Sequence, residues 1–149
     1  MCAAEAIPFH KPSIGEEEVE AVSQTLRAGW LTTGPKTKEL EESFARYIGC
    51  KHALAVSSCT AALHLALEAI GLREDDEVLL PALTFTATAE VVAYFKAKPV
   101  LVDSERSYFN LDVEDAQRKV TPKTRALIPV HLAGHPCDMK AVAELAVSK

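Results

Sequence analysis

From residue 53 onward the chain repeats one unit. Short apolar runs at 53–56, 77–80, 99–102 and 125–130 are each followed by a helical pattern. Those patterns fall at 60–70, from about Thr86 to Lys96, in a short helix opened by Asp112, and near 138–148. Four strands each followed by a helix predict βαβ connections and a largely parallel sheet. Val78-Leu79-Leu80, Val100-Leu101-Val102 and Leu127-Ile128-Pro129-Val130 lack polar alternation, as strands covered on both faces should. The expected class is α/β, a three-layer α-β-α arrangement around a mostly parallel sheet.

The first 49 residues have a different rhythm. Ser13-Ile14-Gly15-Glu16 reads as a capping box. Val19, Val22 and Leu26 then follow at helical spacing, and Gly29 ends that helix. Trp30 to Pro35 is a loop. A second helix places Leu40, Phe44, Tyr47 and Ile48 on one face and stops at Gly49. The expected organisation is one incomplete large domain over 1–149. Within it, 1–49 holds two helices and a loop, and 50–149 holds four βα units.

Composition narrows the function. A net charge of −5, with no stretch rich in Lys or Arg, argues against a nucleic-acid surface. No apolar run approaches the roughly 20 residues of a membrane span. Met1-Cys2-Ala3-Ala4-Glu5 lacks the basic and apolar regions of a signal peptide, so the cytoplasm is expected. Cys2, Cys50, Cys59 and Cys137 form no C-x-x-C pair and read as free thiols. His131 and His135 stand four apart, but Gly134 and Pro136 break any helix there, so no metal site is expected.

In open parallel sheets, ligands bind beyond the carboxyl ends of the strands. Those ends are Ser57 to Thr60, Pro81 to Phe85, Asp103-Ser104 and His131 to Gly134. The turn Ser57-Ser58-Cys59-Thr60-Ala61 opens a helix, where free N–H groups and the dipole suit either a simple N-cap or a phosphate. It is neither a Walker loop nor G-x-G-x-x-G. Phe85 is either core or a face stacked on a planar ligand. Asp103 can cap locally. His131 is either a structural group or a ligand contact. Thr32-Thr33-Gly34-Pro35 has the composition of a turn.

Four segments, in order, carry a resemblance. They are Gly29-Trp30-Leu31-Thr32-Thr33-Gly34-Pro35, Ser57-Ser58-Cys59-Thr60-Ala61-Ala62-Leu63, Pro81 to Thr88, and Pro129-Val130-His131-Leu132-Ala133-Gly134. Together they resemble the DegT-like family of sugar aminotransferases, from about Ile7 to the last residue. Members depend on pyridoxal 5'-phosphate (PLP) and act on nucleotide-linked keto sugars. The resemblance implies the N-terminal portion of the aspartate-aminotransferase-type (type I PLP) large domain, with active sites shared across a homodimer.

It also implies roles. Ser58, Thr60 and Ala61 match the residues that hold the cofactor phosphate. Phe85 matches the aromatic stacked on the pyridine ring. Thr32, Thr33 and Gly34 match a loop near the sugar, and His131 lies in a matching strand-end motif beside substrate. The implied chemistry is transamination in cell-surface polysaccharide or amino-sugar biosynthesis, with an amino-acid donor, usually glutamate.

Two departures accompany the resemblance. Cys59 stands where many relatives carry Gly or another small residue, which costs about 1–2 kcal/mol if the position is left-handed. The family's Schiff-base Lys, and the Asp that keeps the pyridine nitrogen protonated, match no residue here and are expected beyond Lys149. No catalytic residue is therefore assigned within 1–149, and the isolated chain is expected to be inactive with an unpaired sheet edge. Two alternatives stay open. One is a dehydratase of the same family, with His in place of the Lys. The other is a non-catalytic, truncated relative that only binds ligand.

Overall fold

The computed structural model describes residue 8 and residues 10–148. Met1 to Glu5, with Cys2, lie outside the described residues, as does Lys149. The chain forms two compact units, Met1–Ala55 and Val56–Lys149.

The first unit holds helices α1 (Glu16–Ala28) and α2 (Pro35–Ile48). Helix α1 begins two residues later than the Ser13 signal suggests. Its N-cap is Gly15, and the Gly15 N–H donates to Glu18 Oε2 at 2.7 Å. The reciprocal half is absent because glycine has no side chain to offer. Gly29 and Gly49 end the two helices in the left-handed conformation, as the sequence indicates. Pro35 takes the first position of α2, where a missing N–H costs nothing. Neither helix buries a residue. The stripe Val19, Val22 and Leu26 and the stripe Leu40, Phe44 and Ile48 are both exposed.

The second unit is the α/β body. Helix α3 (Cys59–Ala69) precedes strand β1 (Glu77–Pro81), α4 (Ala87–Ala93) and β2 (Lys98–Val102). Then come α5 (Val113–Lys119), β3 (Thr124–Leu127), a short 3-10 turn at Leu132–Gly134, and α6 (Met139–Val147). The sheet is parallel, in the order β2-β1-β3. It has three strands rather than four. The segment 53–56, expected as a strand, pairs with none among the described residues. Leu54 is 79% exposed, and the Ala55 N–H donates to Glu41 Oε1 at 2.9 Å.

Side-chain alternation along β1 builds the layers. Val78 and Leu80 face Leu67 of α3 and Val91 and Val92 of α4. Leu79 faces the other way, with Val102, Leu111, Ala116 of α5 and Leu145 of α6. Helices thus cover both faces of β1, as its unbroken apolar run requires. Asp112 and Asp138 cap α5 and α6 with their side chains, which fixes where each helix begins.

Candidate active site

The turn before α3 is built by Ser58. Its extended backbone turns the chain into the helix, and its Oγ accepts the Ala61 N–H at 3.1 Å. The Ala62 N–H returns to the Ser58 carbonyl at 3.1 Å. Cys59 and Thr60, at the first two helical positions, have no carbonyl one turn back to accept their N–H groups. Those two N–H groups, the Thr60 hydroxyl and the positive end of an 11-residue helix are a set of donors chemically suited to an anion. Cys59 is not among the residues with positive φ, so the left-handed penalty considered for it does not arise.

Phe85 lies on the turn that links β1 to α4. It is 81% exposed, which excludes the core reading. The turn beneath it is rigid: Thr84 and Thr88 share a hydroxyl–hydroxyl bond of 2.7 Å, and the Thr88 N–H donates to the Phe85 carbonyl at 3.0 Å. An aromatic ring is therefore held out at the carboxyl end of the central strand.

At the carboxyl end of β2, Asp103 makes local bonds. Its N–H donates to Asp115 Oδ2 at 2.8 Å, and its carbonyl accepts from the Asp112 N–H at 2.9 Å. Asp115 is nearly buried and also holds Lys119 at 2.6 Å and Arg118 at 3.2 Å. The Asp103 N–H and the Lys119 ammonium together lower its carboxyl from 3.8 to about 2.

His131 follows β3. Past Leu127 the chain stays beside β1, with the Ile128 N–H on the Leu79 carbonyl at 2.8 Å, so His131 leaves the sheet next to the strand that carries Phe85. Its ring is exposed, and Nδ1 accepts the Cys137 N–H at 3.1 Å. Sequence reasoning missed the residue that shapes this loop. Asn110 is only 6% exposed; its Oδ1 accepts the Leu132 N–H at 3.2 Å. Its amide nitrogen faces the carbonyls of His135 and Pro136 at 3.2 and 3.1 Å. These partners lie 22 to 26 residues away, so no local pattern announces them.

The turn that presents Asn110 is folded around Glu105. Burial opposes the charge on Glu105, but hydrogen bonds from Ser107, Tyr108 and Asn110 N–H groups outweigh it and hold its carboxyl below the ordinary value.

In the first unit, the Thr32-Thr33-Gly34 loop is pinned by Trp30, whose Nε1 donates to the Thr33 carbonyl at 3.0 Å. The indole lies so close over Gly34 that a Cβ there would sit 2.3 Å from Nε1. Trp30, Thr32 and Gly34 line a cavity of about 450 Å³ with Gln24 and Thr25 of α1 and Lys36 and Thr37 of α2. The structure thus gathers Thr32 and Gly34 at one cavity and Ser58, Thr60 and Ala61 at one helix start. Phe85 and His131 stand at neighbouring strand ends.

The model of the DegT/DnrJ/EryC1/StrS aminotransferase family matches residues 12–149. The chain belongs to this family. It is 45% identical over 140 residues to the spore coat polysaccharide biosynthesis protein SpsC of Bacillus subtilis, covering 94% of this chain and 36% of SpsC. Among solved structures, Spr1654 of Streptococcus pneumoniae, described as a sugar aminotransferase, superposes with a TM-score of 0.88 at 42% identity. That match covers 93% of this chain and about a third of Spr1654, 35% in its PMP form and 36% in its PLP form. A GDP-4-keto-6-deoxymannose-3-dehydratase superposes with a TM-score of 0.90 at 25% identity, over 97% of this chain and 39% of that one. The chain spans 36% of the length of the curated relatives it matches.

The fold is the expected α/β class, that of the N-terminal portion of the PLP-dependent aminotransferase-type large domain, and the family's cofactor is PLP. The residues present fit that cofactor. Amide donors at the start of α3 suit a phosphate ester, and the outward Phe85 ring suits a planar heterocycle. Among the described residues no group of three His, Cys, Asp or Glu side chains is arranged for a metal, and no helix is long and apolar enough to cross a membrane.

Proposed function

We propose that this chain is the cofactor-binding part of a PLP-dependent enzyme that exchanges the oxo group of a nucleotide-linked keto sugar for an amino group. The nitrogen comes from an amino acid, glutamate by preference, which leaves as the 2-oxo acid. The observation that carries this reading is the Ser58-capped amide cradle at the start of α3, in a chain of this family. In this reading the Cys59 and Thr60 N–H groups and the Thr60 hydroxyl hold the phosphate. Ala61 keeps the turn narrow, and Ser58 holds its shape. Phe85 covers one face of the ring and excludes water from it. Thr32, Thr33 and Gly34 shape the cavity that receives the sugar, and His131 stands beside substrate.

PLP supplies an electron sink when bound. The amine that anchors it, and the carboxylate that keeps its ring nitrogen protonated, come from sequence outside these 149 residues. The isolated chain therefore binds but does not turn over. The working form is a homodimer, and its setting is polysaccharide biosynthesis, the role that the name of SpsC gives for that relative. Cys50, Cys59 and Cys137 are free thiols, consistent with a cytoplasmic setting.

The test is direct. Full-length protein is loaded with PLP and incubated with glutamate and a panel of nucleotide-linked keto sugars, and products are read by mass spectrometry. An amino sugar formed with stoichiometric 2-oxoglutarate supports the reading. A product that has lost a hydroxyl while gaining no nitrogen favours the dehydratase, a reading supported by the 0.90 TM-score to such an enzyme. Absence of PLP binding refutes both.

A further inference from the structure

The ring of His131 is held in one chemical form by the loop it begins. A backbone N–H can only donate, and the Cys137 N–H points at His131 Nδ1 at 3.1 Å. Nδ1 must therefore carry the lone pair, and the neutral ring carries its proton on Nε2. Further contacts hold Cys137 and its turn in place to do this. Its buried thiol donates to the Val130 carbonyl at 3.1 Å. Asn110 ties down Leu132 on one side of the turn and His135 and Pro136 on the other. The turn itself closes by Gly134 N–H to His131 carbonyl at 3.1 Å, with Ala133 at φ 51. Two non-glycine residues, Phe109 at φ 61 and Ala133, take left-handed backbone on either side of these Asn110 contacts. The surrounding bonds over-determine that conformation, which is how a strained turn persists.

This leaves Nε2–H as a donor with no partner among the described residues, on an exposed ring. It follows the carboxyl end of β3, the strand next to the one whose end carries Phe85.

We propose that His131 is a ligand-recognition residue: locked as the Nε2–H tautomer by the Cys137 N–H, it donates a hydrogen bond to an oxygen of the bound ligand, with Asn110 as the positioning residue. The acceptor is a carbonyl, phenolate or hydroxyl oxygen, contributed either by the cofactor ring or by the sugar. A fixed donor cannot serve as a metal ligand or accept a proton at Nε2 without first breaking the Cys137 contact. The inference rests on the PLP reading of the site, and its first readout needs no ligand.

The experiment uses full-length protein labelled with [15N]histidine. Ring-nitrogen NMR of His131, assigned by comparison with His131→Gln, is expected to show protonated Nε2 and unprotonated Nδ1 before any ligand is added. The Nδ1–H tautomer overturns the proposal. PLP affinity, by absorbance titration, and the KM for the nucleotide sugar are then compared in His131→Leu, His131→Gln and wild type. Glutamine offers one amide oxygen to the Cys137 N–H and one NH2 to the ligand, whereas leucine offers neither. Loss of a donor predicts a weakening of about tenfold in His131→Leu, largely restored in His131→Gln.

A loss in PLP affinity assigns the oxygen to the cofactor, and a rise in sugar KM with PLP affinity unchanged assigns it to the substrate. Unchanged values of both in His131→Leu refute the proposal while leaving the PLP reading intact. A wild-type protein that binds no PLP removes the PLP reading, and the recognition role falls with it. Asn110→Ala is expected to move the same constant as His131→Leu by a smaller factor. A change in thermal stability alone refutes its positioning role.

Discussion

Asp115 links stability to pH in a way that can be calculated. It accepts the Asp103 N–H, the Lys119 ammonium and the Arg118 guanidinium, and its carboxyl falls from 3.8 to about 2. A carboxyl whose folded pKa is depressed adds stability wherever it is charged in both states. That contribution is complete above the unfolded value and disappears as pH falls through the folded one. The window is therefore from about pH 5 down to about pH 2. At 1.36 kcal/mol per pH unit, the shift corresponds to about 2 kcal/mol. Arg118 is largely exposed and Lys119 partly so, and their solvent-screened share reduces the expected value to about 1 kcal/mol.

The perturbation is Asp115→Asn, which keeps one acceptor oxygen for the Asp103 N–H and removes the charge. Urea unfolding of wild type and variant is compared at pH 7, 5, 3.5 and 2.5. Wild type should be more stable by about 1 kcal/mol at pH 7, and the two curves should converge toward pH 2.5. Amide exchange at Asp103 should accelerate in the variant at pH 7. Parallel pH profiles would show that the ion pairs contribute nothing and that the carboxylate acts only as a neutral acceptor.

Other substitutions separate fold from site. Phe85→Ala should leave stability within about 0.5 kcal/mol, because the ring is exposed, yet weaken PLP binding by about 0.5–1.5 kcal/mol in an absorbance titration. Ser58→Ala removes the acceptor for the Ala61 N–H, so it should lower stability by about 1 kcal/mol in a urea melt and weaken PLP binding as well. Gly34→Ala forces a Cβ to within 2.3 Å of the Trp30 indole, so the ring must swing away from the Thr33 carbonyl. Trp30 is the sole tryptophan, and its fluorescence emission should shift to the red with little change in overall stability. An unshifted spectrum would refute that close approach.

The chain's local signals read accurately because their physics is local. Asp112 caps the helix it announces, and Gly29 and Gly49 stop theirs, since each bond reaches no further than one turn. Apolar runs at 77–80, 99–102 and 125–130 became β1, β2 and β3 within a few residues of their expected bounds. The Ser57–Ala61 turn and Phe85 were also visible as site candidates. An amide-rich helix start carries its meaning in its immediate neighbours.

Tertiary structure decided the rest. Ala53–Val56 has the composition of a strand yet pairs with none among the described residues, because pairing requires a neighbour that composition cannot specify. Phe85 reads from sequence as either core or a ligand-facing ring, and only its exposure removes the core reading. Asn110 looks like any turn asparagine until the loop 22 to 26 residues later folds over it. The same closure turns His131 from an ambiguous imidazole into a fixed donor, because its tautomer is set by a backbone N–H that only the folded loop brings within reach. Bonds within one helical turn are encoded where they form. Bonds between distant segments depend on the sheet that brings those segments together.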